Sequence, residues 1–245
     1  MNETGADSNI TSGKHNDNFS DDTIVVGNTN VSGEKGKSLG FRSIVGGHNN
    51  TNKGNNSLVV GYDNDNTGGQ NIIAGQYWNV TGSHNLVAGD SRSNSVEQTI
   101  SGSYNIVGGL GNSTNNNTNI IGGESNKVYA DRSVVGGAWN EVAMRGGLVA
   151  GVSNIIGSTD IDKNTWFAGV IAGQSNRVTG LKTITSGYNN QAKADSALTI
   201  GSNLINSSPN SITCGAYNTE LSNTLFNVGN GSSSERKSAF AIYPD

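Results

Sequence analysis

SVVGGAWNEVAMRG, residues 133–146, is the middle one of three consecutive 14-residue stretches that align without a gap. NIIGGESNKVYADR (119–132) precedes it and GLVAGVSNIIGSTD (147–160) follows it. Each stretch has an apolar residue at its second place, Gly at the fifth, Asn at the eighth and an apolar residue at the tenth. A fixed short period is typical of repeat architectures, so the chain is predicted to be a repeat protein.

The same frame extends through most of the chain, and its most regular feature is the glycine at the fifth place. We expect a corner at this glycine, where the backbone needs a positive φ or room for a close neighbour. Asn recurs at the seventh and eighth places, where it tolerates the same left-handed conformation and can hydrogen-bond to a neighbouring coil. The fifth-place glycines are Gly47, Gly61, Gly75, Gly89, Gly109, Gly123, Gly137, Gly151, Gly173, Gly187, Gly201, Gly215 and Gly229.

The composition agrees with stacked repeats rather than with one large core. Gly accounts for 35 of the 245 residues, only 33% are hydrophobic and 14% are charged. A solenoid buries a few side chains per repeat and needs no central core. Dense Gly and β-branched residues disfavour helices. The prediction is therefore an all-β, parallel β-solenoid of 14-residue coils, each made of a strand, a Gly-Asn corner, a second strand and a second corner.

Interruptions of the frame predict how the chain is divided. Residues 1–22 are expected to form an irregular polar lead or cap. Residues 23–238 are assigned to the repeat, with short insertions at 99–104 and 161–168. Residues 239–245 are expected to begin a neck or a following module.

The first strand of each coil is apolar at both its second and its third place. Adjacent places point to opposite faces, so one face can fill the coil while the other needs a cover from outside. This pattern favours a homo-oligomer over a monomeric rod with an exposed apolar stripe, although it leaves open which face turns to the partner. The third-place side chains are the candidate subunit interface: Val45, Val59, Ile73, Val87, Val107, Ile121, Val135, Val149 and Ile171.

Several classes of function are disfavoured by charge and by motif. The net charge of −4 offers no basic surface for nucleic acid, and no apolar run approaches the roughly 18 residues that would insert this segment in a membrane. His15, His48, His84 and the single Cys214 lack metal-ligand spacing. The chain contains no phosphate-binding loop and no nucleophile elbow. We therefore expect no metal, no cofactor and no enzymatic activity.

Two stretches, SALTIGSNL (196–204) and NSLVVGYDN (56–64), resemble the head domain of YadA-like trimeric autotransporter adhesins. The resemblance implies a left-handed parallel β-roll that assembles as a homotrimer. It also implies a virulence-associated protein of the bacterial cell surface, held at the outer membrane, that attaches to a host receptor or matrix protein. The family's stalk and membrane anchor are missing, so a fragment is expected. Residues 226–245 are also similar to phage tail-fibre proteins, and the alternative is a structural or receptor-binding segment of a virion fibre.

Departures from the repeat indicate where a host surface or matrix protein would bind. Inserted loops on a rigid solenoid commonly carry binding, and aromatic side chains are favoured interface anchors. An alternative is that these aromatic residues cover corners of their own or a neighbouring subunit. The candidates are Lys163, Asn164, Trp166 and Phe167 in the second insertion, with Tyr77, Trp78 and Trp139 at corners.

Overall fold

The computed structural model of the chain describes residues 3–4, 8–91, 99–157 and 169–245. Over these residues every regular element is a β-strand and none is a helix, which confirms the all-β prediction. Two-residue and five-residue strands alternate as far as residue 216 and pair with strands of the same kind, forming a parallel β-solenoid. Contacts divide the chain into two compact units, Met1–Ser125 and Asn126–Asp245, which are described in turn.

The described residues of the first unit form eight strands of each kind, and each kind pairs in sequence order within its own parallel sheet. The long strands are β2 (Ile10–Lys14), β4 (Ile24–Asn28), β6 (Ile44–His48), β8 (Leu58–Tyr62), β10 (Ile72–Gln76), β12 (Leu86–Asp90), β14 (Ile106–Leu110) and β16 (Ile120–Glu124). The short strands are β1 (Glu3–Thr4), β3 (Asp17–Asn18), β5 (Val31–Ser32), β7 (Thr51–Asn52), β9 (Asp65–Asn66), β11 (Asn79–Val80), β13 (Thr99–Ile100) and β15 (Ser113–Thr114).

The second unit repeats this plan and ends differently. Its short strands are β17 (Lys127–Val128), β19 (Glu141–Val142), β21 (Ile155–Ile156), β23 (Arg177–Val178), β25 (Gln191–Ala192) and β27 (Ile205–Asn206). Its long strands are β18 (Val134–Ala138), β20 (Leu148–Val152), β22 (Val170–Gln174), β24 (Ile184–Tyr188), β26 (Leu198–Ser202), β28 (Ile212–Ala216), β29 (Phe226–Asn230) and β30 (Ser238–Ile242). Of these, β30 runs antiparallel to β29.

Strand pairing follows the sequence period. Ile72 in β10 pairs with Leu86 in β12, fourteen residues later, and Gly75 pairs with Gly89. In the second unit Val134 in β18 pairs with Leu148 in β20 at the same spacing. Equivalent places of successive coils therefore lie directly beside one another, and each place of the repeat forms a column of side chains.

The third-place side chains form the interior of the coils, so their assignment to a subunit interface is wrong. All nine are at most 2% exposed within a single chain, because the short strand of the same coil covers them from the opposite side. A side chain that its own chain encloses has no surface left for a partner. The corrected residues are Val45, Val59, Ile73, Val87, Val107, Ile121, Val135, Val149 and Ile171.

The fifth-place glycines are fixed by both conformation and space. Gly61 has a φ of 130°, and a Cβ built on it would lie 1.8 Å from the carbonyl oxygen of Gly75. Gly137 repeats this arrangement against Gly151, with a φ of 107° and a separation of 1.9 Å. The sequence-based expectation of a positive φ and a close neighbour is confirmed at these corners.

Asparagine at the eighth place forms the ladder of buried amides that its recurrence predicts. The Asn140 side chain donates to Asn126 Oδ1 at 2.9 Å and to the Gly151 carbonyl oxygen at 2.8 Å. Its own Oδ1 accepts hydrogen bonds from the backbone N–H and the side-chain amide of Asn154, both at 3.0 Å. Asn140 thus ties its coil to the coils on either side, and the atoms of its buried amide are paired.

Two predicted boundaries need correction. Residues 8–22 are not an irregular lead, because Ile10 and Gly13 in β2 pair in register with Ile24 and Gly27 in β4. The coil escapes recognition because Thr11 stands at its third place, where the next coils carry Val25, Val45 and Val59.

The first insertion also lies elsewhere than at 99–104. Thr99 belongs to a regular short strand and pairs with Asn79, twenty residues earlier, so the six extra residues precede it. Another six extra residues follow β5, since Ile24 pairs with Ile44, and this interruption was not predicted. The later jump, Leu148 to Val170, adds eight residues, but residues 161–168 lie outside the described part of the chain.

Near residue 245 both sheets of the described chain end without a further parallel strand. Asn218 replaces a short strand: its Oδ1 accepts from the Ile205 N–H at 2.8 Å and its Nδ2 donates to the Ile205 carbonyl oxygen at 2.9 Å. Phe226 in β29 then pairs with Ile242 in the antiparallel β30. The ladder of short strands is thus closed by a side-chain amide, and the ladder of long strands by a reversal of direction. The expected start of a neck at 239–245 stays a prediction.

Candidate binding surfaces

The second-place side chains of the long strands form an exposed apolar column, here called the outer column. In the first unit Ile72 and Ile106 are each 48% exposed, and in the second unit Ile184 is 50% exposed. Eleven of the fourteen side chains are exposed, while Ile24, Leu58 and Leu198 are half-buried. A row of exposed aliphatic side chains is unusual for a protein surface in water. The outer column comprises Ile10, Ile24, Ile44, Leu58, Ile72, Leu86, Ile106 and Ile120 in the first unit, and Val134, Leu148, Val170, Ile184, Leu198 and Ile212 in the second.

The fourth place shares the outward face of the strand and carries small residues on most coils, with Val26, Val60 and Ile200 as larger ones. Gly108 and Gly122 in the first unit, and Gly136 in the second, have no positive φ, and a Cβ on any of them would meet nothing within 4 Å. Neither conformation nor crowding within the chain therefore requires glycine there. Glycine inside a strand commonly marks a place where another backbone approaches.

The aromatic receptor-binding candidates fall into different environments. Lys163, Asn164, Trp166 and Phe167 lie outside the described residues. Trp139 is 53% exposed at a corner of the second unit, with a φ of 54° that bulky residues rarely adopt. Ser153 and Ser175 occupy the same place in the next two coils of that unit, so the indole projects beside small side chains.

Trp78 is buried, which contradicts its selection as a receptor-binding candidate at a corner. Its side chain is 1% exposed and takes the eighth place, where most coils carry the ladder asparagine. Its Nε1 donates to the Gly89 carbonyl oxygen at 3.2 Å, and its backbone N–H donates to Asn64 Oδ1 at 3.1 Å. Trp78 thus reproduces the hydrogen bond of the asparagine that it replaces, and it has no surface for a receptor.

Tyr77 lines a surface groove of about 240 Å³ in the first unit, here called the corner groove. Asp63 and Asp65 face this groove from the seventh and ninth places of one coil. Asp63 Oδ1 accepts a hydrogen bond from Asn49 Nδ2 at 2.6 Å. Desolvation raises the pKa of the Asp65 carboxyl, while the positive charge of Lys53 opposes that rise. The complete lining is Asn49, Thr51, Asp63, Asn64, Asp65, Tyr77, Trp78 and Asn79.

A second groove of about 310 Å³ lies at the opposite corner of the first unit. It combines two carboxylates with one guanidinium and one phenyl ring, so it has no single chemical preference. Its lining is Asp21, Asp22, Phe41, Arg42, Asn55 and Asn56.

Neither a metal-ion site nor a membrane-spanning helix is found in the described ranges. Within 8–91, 99–157 and 169–245, no group of three or more His, Cys, Asp or Glu side chains could hold a metal ion. Nor does the described part of the chain contain a helix long and apolar enough to cross a bilayer. Cys214 is a half-buried free thiol.

The fold and the outer column together define a parallel β-solenoid with a repeated apolar outer face. Comparison with known protein-family models and with curated protein sequences gives no match. The likeness of SALTIGSNL (196–204) and NSLVVGYDN (56–64) to trimeric adhesin heads therefore stays a prediction from sequence.

Two surfaces were missed by sequence reasoning. The sequence shows that the second-place residues of the outer column are apolar, but the candidate subunit interface was assigned to the third place instead. The corner groove was missed altogether, although Asp63 and Asp65 at alternate places beside Tyr77 were visible as a signal.

Proposed function

We propose that this chain forms the head of a trimeric surface adhesin, in which three copies pack through their outer columns and other faces attach to a host receptor or matrix protein. The observation that carries the proposal is the outer column itself, together with the small fourth-place residues beside it. This assembly would hold the apolar face dry and leave the corners accessible.

A second copy of the same chain is the natural partner for the outer column. Its side chains repeat with the coil, at about 4.8 Å per strand, and only a partner with the same repeat matches them along the whole face. Covering one half-exposed Ile or Leu would contribute about 1 kcal/mol at roughly 25 cal/mol per Å². Gly108 and Gly122 would let the partner's backbone approach closely, which explains glycine at places where the single chain has open space.

The left-handed sense of the coil and the number three come from the resemblance to YadA-like heads. A contact between different sides of identical subunits closes into a ring when the rotation between them allows it. Three such copies would place their outer columns around a common axis. The bacterial surface location belongs to the same proposal.

Trp139 supports attachment to another macromolecule. A tryptophan in the left-handed region is strained by about 1–3 kcal/mol, and 53% of Trp139 remains exposed. A side chain that opposes folding in this way is well placed to serve as an interface anchor. We assign it to receptor contact, together with Lys163, Asn164, Trp166 and Phe167 of the second insertion.

The proposal is tested by binding of the purified protein to cultured host cells and to immobilised extracellular-matrix proteins. Two variants are compared with the parent: Trp139→Asn and a deletion of residues 161–168. Tyr217→Asn serves as the matched control, because Tyr217 also stands at a seventh place with a positive φ of 45°. The parent and the control are expected to bind, while at least one variant binds at least tenfold more weakly.

Absence of binding by the assembled parent protein would contradict the adhesive function. An assembled rod that attaches to no host surface would favour the alternative, a shaft segment of a viral or phage tail fibre.

A further inference from the structure

We propose that the corner groove of the first unit binds a neutral hexose unit of a host glycan. The inference rests on the adhesive function proposed above and names the ligand class for one of its surfaces. It is carried by the juxtaposition of Asp63, Asp65 and Tyr77 with amide side chains in a groove the size of one sugar ring.

The groove presents polar groups from three successive coils at fixed positions. Asn49, Asp63 and Tyr77 occupy the seventh place of these coils, while Asp65 and Asn79 occupy the ninth place of two of them. Since equivalent places lie beside one another at the strand spacing of about 4.8 Å, these groups form a regular array. The array needs no rearrangement to meet a ligand, which favours binding by rigid complementarity.

The two carboxylates differ in how far the protein satisfies them. Asp63 is held by the Asn49 side chain at 2.6 Å. Desolvation raises the pKa of the Asp65 carboxyl, but the side chain is exposed and no described residue donates a hydrogen bond to it. An ionised carboxylate accepts hydrogen bonds only, so Asp65 is open to a donor from a ligand in place of water. Sugar hydroxyl groups supply such donors.

Tyr77 adds one half-buried aromatic ring to a groove whose surface is otherwise mainly polar. Tyr77 contacts Tyr62 edge-to-face, with ring centroids 5.3 Å apart, and Tyr62 stacks on His48 at 5.1 Å. The indole of Trp78 lies buried beneath and is fixed by its hydrogen bond to Gly89. An aromatic ring held in this way offers apolar contact to the C–H groups of a pyranose while the polar groups address its hydroxyls.

The lining selects among ligand classes. Two carboxylates and no basic lining residue repel sialic and uronic acids. Asn49, Asn79 and Thr51 can both donate and accept, which suits hydroxyl groups that do the same. A volume of about 240 Å³ is too small for a protein interface. A neutral hexose satisfies the donors, the acceptors and the ring together.

The experiment measures binding of the assembled protein to an array of neutral oligosaccharides and their sialylated and sulfated counterparts, with and without EDTA. Asp65→Asn removes the acceptor charge, and Tyr77→Asn removes the ring while introducing a residue that the left-handed corner accepts. Glu141→Gln and Tyr217→Asn are the matched controls, since they alter the ninth and seventh places of coils in the second unit. Circular dichroism establishes that every variant is folded.

The expected result is binding of neutral glycans that resists EDTA, weakens at least tenfold in both groove variants and stays unchanged in both controls. Binding confined to sialylated or sulfated glycans, loss of binding in EDTA, or equal binding by groove variants and controls would each overturn the inference. Failure of the proposed function is separate: host cells would then not bind the parent protein at all. If both groove variants still attach to host cells, the glycan site in the corner groove is wrong and the proposed adhesive function stands.

Discussion

Ile72 and Ile73 are neighbours in β10, with the same side chain and opposite surroundings. Ile72 is 48% exposed, whereas Ile73 is fully buried. The pair recurs in β16, where Ile120 is 49% exposed and Ile121 only 2%. Apolar residues therefore serve two purposes in this repeat. The inner residue stabilises the coil, and the outer residue is available for contact with a partner chain. Substitutions at the buried third place should therefore affect folding, and substitutions at the exposed second place should affect assembly or binding.

The largest expected effect comes from truncating the two isoleucines in turn. Ile73→Ala leaves a cavity between the strands and is expected to lower the free energy of unfolding by about 2–5 kcal/mol. Ile72→Ala, measured at a protein concentration low enough to keep chains apart, should lower it by less than about 1 kcal/mol. Urea unfolding followed by circular dichroism measures both. An equal loss of unfolding free energy in the two variants would contradict the assignment of the third place to the interior and of the second place to the surface.

A second interior change concerns the amide ladder. Asn140→Ala would leave the Gly151 carbonyl oxygen and the Asn154 backbone N–H without their present partner. A buried unsatisfied group destabilises by about 1–3 kcal/mol, so we expect a loss of about 2–4 kcal/mol. Gln174→Ala removes an exposed amide from a long strand and serves as the control, with almost no loss. A control that loses as much would show that burial of the amide is not what matters.

At the surface, Trp139→Asn is expected to stabilise the fold while weakening attachment. Asparagine tolerates the left-handed region, so relief of strain at a φ of 54° should raise the free energy of unfolding by up to about 1 kcal/mol. Thermal melting of parent and variant measures the gain. A clear loss of stability would mean that the indole packs against its own chain.

The smallest effect is the pH dependence at Asp65. Because desolvation raises the pKa of its carboxyl, the folded state holds this proton more tightly than the unfolded state. Its contribution to stability therefore falls as pH rises from the ordinary aspartate pKa, near 3.9, through the raised folded value. Asp65→Asn should be slightly more stable than the parent at pH 7, and the gain should vanish below about pH 3.9. Urea unfolding at both pH values measures it, and an equal gain at both would contradict the electrostatic cause.

Much of the fold could be predicted because some places of the repeat accept only one type of residue. Gly61 and Gly137 occupy corners that exclude a side chain, and Asn140 occupies a place where only an amide bridges both neighbours. Their spacing therefore fixes coil length and strand order. The positions of the inserted residues were harder to predict from the sequence. Thr99 resembles part of an insertion, and only its pairing with Asn79 shows that it belongs to a regular strand.

The side of the strand that faces inward could not be read from alternation, since both faces are apolar. Side-chain shape carried a signal. Third-place residues are β-branched except for the last, Asn227. Where valine and isoleucine end, Thr185, Thr199 and Thr213 continue the buried column with nearly the volume of valine. The second place also accepts Leu58 and Leu86, which a narrow interior between two strands accommodates poorly. The corner groove depends on side chains from three coils, and no single repeat displays it.

The molecular mass of the purified protein in dilute buffer tests the central claim most directly. Light scattering should give the mass of three chains for the parent protein. A variant with Ile72→Asp and Ile120→Asp should give the mass of one folded chain, because charge on the outer column opposes its burial. A parent protein that stays a well-dispersed monomer would contradict the account, and so would a double variant that still assembles as the parent does.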